Sequence, residues 1–358
     1  MNVLFISFVH CIDSYVTPYF HTCSVAVLPS MTMIGIFIPK TVQERRQMHS
    51  NIPGGVWPTM ITPFTDDDKP DFKTMEKMVQ WYIDKGCAGI FAVCQSSEMF
   101  FLSPREKIDI ATCVRDAAQG RVSIVASGHT ADSLDQQKKE IADMAALGLD
   151  AVVLVSNRLA RQDEGEEVFL RNIQNIFDEF PEVPFGMYEC PYPYKRLATL
   201  EFLGQCARGG RGISFLKDTC CDPDIERERA AVVKGSRVCL FNANTATLLS
   251  SLREGYLGYN GIMANYHPEL YVWLYENYRV MPDEAGKLSD ILSVLAMSEH
   301  RCYPVTAKYH FNKCVMPMSL HSRSSDPALF NTNDRLSIDS LIGVERETEK
   351  LLACMVGG

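Results

Sequence analysis

The sequence predicts a (β/α)8 barrel followed by a helical C-terminal extension. Three observations lead there. Eight short apolar or β-branched runs recur between residues 56 and 264, spaced roughly thirty residues apart, as one strand plus one helix per unit requires. The segments between them place apolar residues at helical spacing. No glycine-rich turn follows the first run, which counts against the rival doubly wound open sheet. With 358 residues, 46% hydrophobic and 22% charged, the chain can fill a core of this size.

The strands are expected at 56–62, 89–93, 122–126, 151–155, 183–188, 212–216, 238–241 and 261–264. Phe72, Met75, Met78, Val79 and Tyr82 form one helical stripe; Leu134, Ile141, Met144 and Leu147 form another. Asp71, Asp132 and the Ser103-Pro104 pair with Glu106 behind it signal helix starts. Gly86, Gly120 and Gly148 mark helix ends. The cluster Gly209-Gly210-Arg211-Gly212 precedes its strand, so it reads as a tight turn on the bottom face rather than a phosphate loop. Strand signals stop after Asn277; 285–298 and 338–355 read as helices joined by a polar stretch, 319–335. The expected organisation is an extension over 1–50, a barrel over 51–280 and a helical region over 281–358.

The first fifty residues lack this regularity and are expected to be poorly ordered. The apolar run 3–9 is too short to span a membrane and has no basic residue before it; the run 23–38 is interrupted by Pro29. An extension, or a start site upstream of the true domain, fits better than a signal or anchor. A net charge of −9 and the absence of a polybasic block argue against a nucleic-acid surface. The 13 cysteines are odd in number and irregular in spacing, with no Cys-x-x-Cys and no zinc-ligand grouping. Together with the absence of an Asn-x-Ser/Thr site, they suggest reduced thiols in a cytoplasmic setting.

In such a barrel the functional groups sit at the C-terminal strand ends. Lys217 closes the apolar run from Gly212 to Leu216 and is followed by Asp218. Burial disfavours its ammonium form, and a neutral amine can attack a carbonyl; the plainer reading is a strand-end ion pair with Asp218. Tyr188 ends the preceding strand, where a phenol with a lowered pKa could shuttle protons. It opens a proline-stiffened loop that includes Tyr192, Tyr194, Lys195 and Arg196. After the second strand, Cys94-Gln95-Ser96-Ser97-Glu98 offers hydroxyls and amides to a carboxylate, or is simply a turn capping the next helix. His129 follows the third strand and is structural or ligand-facing.

Taken in order, these segments resemble the dihydrodipicolinate synthase / N-acetylneuraminate lyase family of class I aldolases. Gly55 to Phe64 is similar to that family's opening strand, and Cys94 to Glu98 stands in place of its Gly-Thr-Thr-Gly-Glu turn. Tyr188 with Pro191 is similar to its Tyr-Asn-x-Pro loop, and Gly212 to Asp218 to its lysine strand. Gly261 to Asn265 with Pro268 matches its eighth strand and the turn after it. The resemblance implies a Schiff-base lyase or aldolase acting on pyruvate or another 2-oxo acid, usually a homotetramer, needing no metal or organic cofactor. It implies Lys217 as nucleophile, Tyr188 as proton shuttle and Ser96 with neighbouring amides as the carboxylate site. Gln95, Ser97, His129, Arg196 and Met263 are further candidates around the substrate, Arg196 lying out of register with the family's carboxylate-binding arginine. Gln95 replaces the hydroxyl that relays protons in the synthases, and Ser156-Asn157-Arg158-Leu159 lacks the family's Pro-Tyr-Tyr. Lysine-pathway synthase is therefore not expected. The alternative from another class is a barrel that has lost turnover and serves as a ligand-binding or scaffold protein.

Overall fold

The computed structural model describes residues 52–299 and 301–356, with side chains through residue 353. The expected extension over 1–50 lies outside the described residues. Eight parallel strands form one sheet: β1 (Gly55–Val56), β2 (Gly89–Val93), β3 (Ser123–Ala126), β4 (Ala151–Val155), β5 (Phe185–Tyr188), β6 (Ile213–Asp218), β7 (Cys239–Asn242) and β8 (Gly258–Tyr259). The ladder runs β2-β3-β4-β5-β6-β7-β8-β1. It closes where Thr59 bridges Phe91 and where the Phe91 amide donates to the Pro58 carbonyl at 3.0 Å. Closure leaves no free edge.

The helices between the strands are α1 (Phe72–Asp84), α2 (Pro104–Ala118), α3 (Leu134–Ala145), α4 (Glu166–Glu179), α5 (Leu200–Ala207), α6 (Pro223–Val233), α7 (Leu248–Glu254) and α8 (Pro268–Asn277). Covered by this ring outside and by packed side chains inside, β2 and β4 are buried along their whole length, as their unbroken apolar sequences require. The inner filling is aromatic. Trp57, Phe215 and Phe241 meet with centroids 5.6 to 6.5 Å apart. Gly89 and Gly186 make room for them, since a Cβ there would stand 2.5 Å from the Trp57 ring or 2.2 Å from the Phe215 ring.

Capping follows the sequence closely. Asp71 accepts from the Thr74 amide, and Ser103 with Glu106 forms a capping box ahead of Pro104. The third start is one residue later than expected: Ser133 caps α3, and Asp132 instead pairs with Arg158 at 2.8 Å. The eighth strand is also displaced. It occupies Gly258–Tyr259, and the apolar stretch read as strand is a 3-10 turn, Ile262–Asn265, beyond its C-terminal end. The Gly209–Gly212 cluster does precede β6, on the bottom face.

The extension consists of α9 (Pro282–Leu295), α10 (Val305–Cys314) and α11 (Thr332–Val356). Sequence periodicity gives no sign of α10, because it is buried on nearly every side from Val305 to Phe311. Its polar residues face partners rather than solvent: Lys308 meets Glu98, and His310 meets Glu345. No described helix is long and apolar enough to cross a membrane.

Candidate active site

The C-terminal strand ends open into a cavity of about 660 Å³. Lys217 reaches it from β6 and Tyr188 from β5, and the two residues are register partners in the sheet. The Lys217 ammonium is 4% exposed and donates to both oxygens of Asn260, the carbonyl at 2.5 Å and Oδ1 at 3.0 Å. Burial lowers its pKa to about 8. Among the described residues it makes no ion pair. Asp218, the partner the plainer reading assigned to it, points away and pairs with Arg229 at 2.6 Å.

That Arg229 guanidinium also grips Glu189 at 2.7 Å, and both partners are buried. Glu189 in turn accepts from the amides of Ala198 and Thr219, while the Tyr256 hydroxyl donates to Asp218 at 2.6 Å. The residues immediately after Tyr188 and Lys217 are therefore locked to one another behind the site.

The Tyr188 ring lies under the Lys217 amine, 4.9 Å from Nζ to centroid, and its hydroxyl donates to Gln95 Oε1 at 3.1 Å. Burial raises the phenol well above its ordinary pKa, contrary to the expectation of a lowered one. The Tyr188 phenol thus keeps its proton at neutral pH. The Cys190 thiol also points to Gln95 Oε1, at 3.4 Å.

In the turn after β2, Ser96 faces the cavity and donates to Thr59 Oγ1 at 3.0 Å. Ser97 does not line the cavity. Its hydroxyl accepts from the Cys94 amide and donates to the Cys94 carbonyl, both at 2.7 Å, closing the turn from within. His129 is likewise elsewhere. Its Nδ1 accepts from the Val155 amide, so Nε2 bears the hydrogen and donates to Gln137 Oε1 at 2.9 Å. Burial lowers its pKa to about 4, and it serves as a neutral strut between β4 and α3.

Arg196 is drawn out of the cavity by the carbonyls of Arg161 and Glu164, at 2.8 and 2.6 Å. Its neighbour Lys195 takes the cavity wall instead, with Nζ on the Thr219 carbonyl at 2.7 Å. Met263 is fully buried behind Gly261 and Ile262, which line the cavity in its place.

Sequence reasoning missed Asn260, which holds the lysine, and Tyr303, which reaches the cavity from beyond the barrel. The Tyr303 phenol is hydrogen-bonded to Ser96 and accepts from Asn265 Nδ2 at 3.2 Å. An Asn-Gly pair just after an apolar run was the available signal for Asn260; nothing in the sequence ties Tyr303 to the site. Among the described residues, no three His, Cys, Asp or Glu side chains gather as a metal site.

This arrangement has relatives. The dihydrodipicolinate synthetase family matches residues 52–322. An uncharacterized DapA-like lyase of Halobacterium salinarum is 28% identical over 225 residues, covering 63% of this chain and 71% of that protein. A 4-hydroxy-tetrahydrodipicolinate synthase of Jannaschia sp. is 25% identical over 221 residues, covering 60% and 72%. Among solved structures, YagE of E. coli K12, a prophage protein of the dihydrodipicolinic acid synthase family in complex with pyruvate, superposes with a TM-score of 0.74. It is 19% identical and covers 82% of this chain and 98% of its own, a likeness of fold. The family match runs through all eight barrel strands and takes in the strand ends just described. The chain belongs to the dihydrodipicolinate synthetase family and is a (β/α)8 lyase of the class I aldolase type.

Proposed function

We propose that this protein makes or cleaves a carbon–carbon bond beside a 2-oxo acid, pyruvate in the simplest case, through a Schiff base on Lys217. The observation behind this is a buried lysine with no ion-pair partner among the described residues, aimed into a cavity and held by neutral oxygens of Asn260. A lysine kept for structure alone would be paired or solvated. In the condensation direction, the neutral amine attacks the C2 carbonyl and water leaves, giving an iminium ion. That cation, formed with uptake of one proton as water leaves, is the electron sink: a C3 proton is released to solvent in exchange and gives the enamine, whose C3 attacks an aldehyde. Cleavage runs the same steps backwards. Tyr188 delivers and recovers the proton at the aldehyde oxygen, and the Ser96 hydroxyl with the turn amides receives the carboxylate.

A complex of YagE with pyruvate, in the same fold, supports the choice of oxo acid. The reading sets this chain apart from lysine-pathway synthases, although relatives carry that name. Tyr188 here donates to a carboxamide, and Gln95 cannot pass a proton on as a hydroxyl does. Borohydride reduction in the presence of pyruvate tests the proposal. A mass increase on the peptide holding Lys217, absent from Lys217→Ala, is expected. A folded protein that gives no adduct with pyruvate or any of a panel of 2-oxo acids would sink it.

A further inference from the structure

The cavity is much roomier than a three-carbon acid needs, and its volume of about 660 Å³ falls in the range that accepts far larger ligands, roughly 300–1,000 Å³. The wall formed by the turn after β2 and the loop after β5 is aromatic. The rings of Phe100 and Tyr192 meet at 5.1 Å, tilted by 55°, and Phe101 and Tyr192 are half exposed, at 48% and 49%. Rings left open to water on a concave wall are a ready platform for a flat apolar group.

Some polar groups at this end are committed within the protein. The Thr219 hydroxyl donates to the Glu189 carbonyl at 2.7 Å, and Ser325 Oγ contacts Cys302 Sγ at 3.6 Å. Charge argues in the same direction. The cavity is lined by Lys195 and Lys217 but also by Glu98 and Glu299, and among the described residues no arginine lines it; the Arg158 guanidinium lies over the Phe100 ring, 5.1 Å from its centroid. A carboxylated or phosphorylated aldehyde would meet no bidentate cation.

We infer that the carbonyl partner is an uncharged aldehyde with an aromatic body, seated on Phe100, Phe101 and Tyr192. This rests on the Schiff-base reading of Lys217. The enamine C3 forms a bond to the aldehyde carbon, and the carbonyl π pair moves to its oxygen, which takes the Tyr188 proton. Water then adds to the iminium carbon, the C–N bond breaks, and a 4-hydroxy-2-oxo acid leaves. The water's proton returns to Tyr188 and the Lys217 amine is restored, so no oxidant or further reactant is required.

The test pairs pyruvate with benzaldehyde, glyceraldehyde or succinic semialdehyde, and follows aldehyde loss alongside borohydride trapping of Lys217. Benzaldehyde is expected to have the highest kcat/KM, by about tenfold or more. The double variant Phe101→Ala/Tyr192→Ala should lose about tenfold in that value through KM, with its pyruvate adduct unchanged as proof of folding. A normal adduct with glyceraldehyde or succinic semialdehyde preferred would overturn the aromatic assignment and leave the Schiff-base reading standing. Absence of any adduct would remove both.

Discussion

At Lys217 burial and chemistry act together. The residue sits at the end of an apolar strand, so desolvation favours the neutral amine that the proposed Schiff base requires. With a pKa near 8, about one amine in ten is neutral at pH 7 and about nine in ten at pH 9. The initial rate of reductive trapping with limiting pyruvate should therefore rise through pH 8 and level off near pH 9. A lysine at its ordinary value would keep gaining beyond pH 10, and that outcome would show the burial to be without effect. Tyr188 makes a separable prediction. Tyr188→Phe keeps the ring under the amine but removes the proton bonded to Gln95. Turnover should fall about 10²–10⁴-fold while the pyruvate adduct still forms; loss of both together would mean the residue only holds the site's shape. Lys217 was legible in the sequence because a cation ending an apolar run is rare. Asn260 was not, because its contact with Lys217 spans 43 positions and depends on where β8 stops.

At the level of elements, strands covered on both faces announce themselves as apolar runs, and six of the eight lie where the sequence puts them; β1 is only Gly55–Val56 against the expected 56–62, because Pro58 has no amide to give to a ladder. The eighth is two residues long, too short to leave a pattern, and the apolar turn beyond it took its place in the reading. Helix α10 shows the converse, since a segment buried at every residue from Val305 to Phe311 has no period to detect. His129 and Arg196 were misjudged for one reason: a polar residue near a strand end can face the cavity or brace the loops behind it, and both brace. The bracing has a measurable size at Arg229, which among the described residues is the single cation paired with both Glu189 and Asp218. Arg229→Met should cost about 3–5 kcal/mol, because it leaves buried carboxylates without a countercharge. Those carboxylates would then bind protons more readily folded than unfolded, so the deficit should be larger at pH 8 than at pH 5 in urea titrations. A loss independent of pH would point to packing alone.

Across the whole molecule, the C-terminal region is tied to the barrel through the same turn that faces the substrate cavity. Glu98 takes a left-handed backbone conformation, with φ of 64°, at the end of that turn. Its carboxylate accepts from Lys308 on α10 at 3.0 Å and from the amides of Arg323 and Ser324, each at 2.7 Å. Arg323 then crosses to Asp68 and Glu106, at 2.8 and 2.9 Å. The polar stretch read from the sequence as a mere connector is thus a strap over the barrel mouth, and Ser324 and Ser325 line the cavity. The centre of the strap is the Glu98–Lys308 pair, with both side chains fully buried. Lys308→Met should cost about 3–5 kcal/mol and open residues 319–325 to limited proteolysis. Adding Glu98→Gln to that variant should recover part of the loss, since the amide can still accept from the strap and no buried charge remains unpaired. Strictly additive losses in a double-mutant cycle would show that the two residues hold the strap independently and not as a pair.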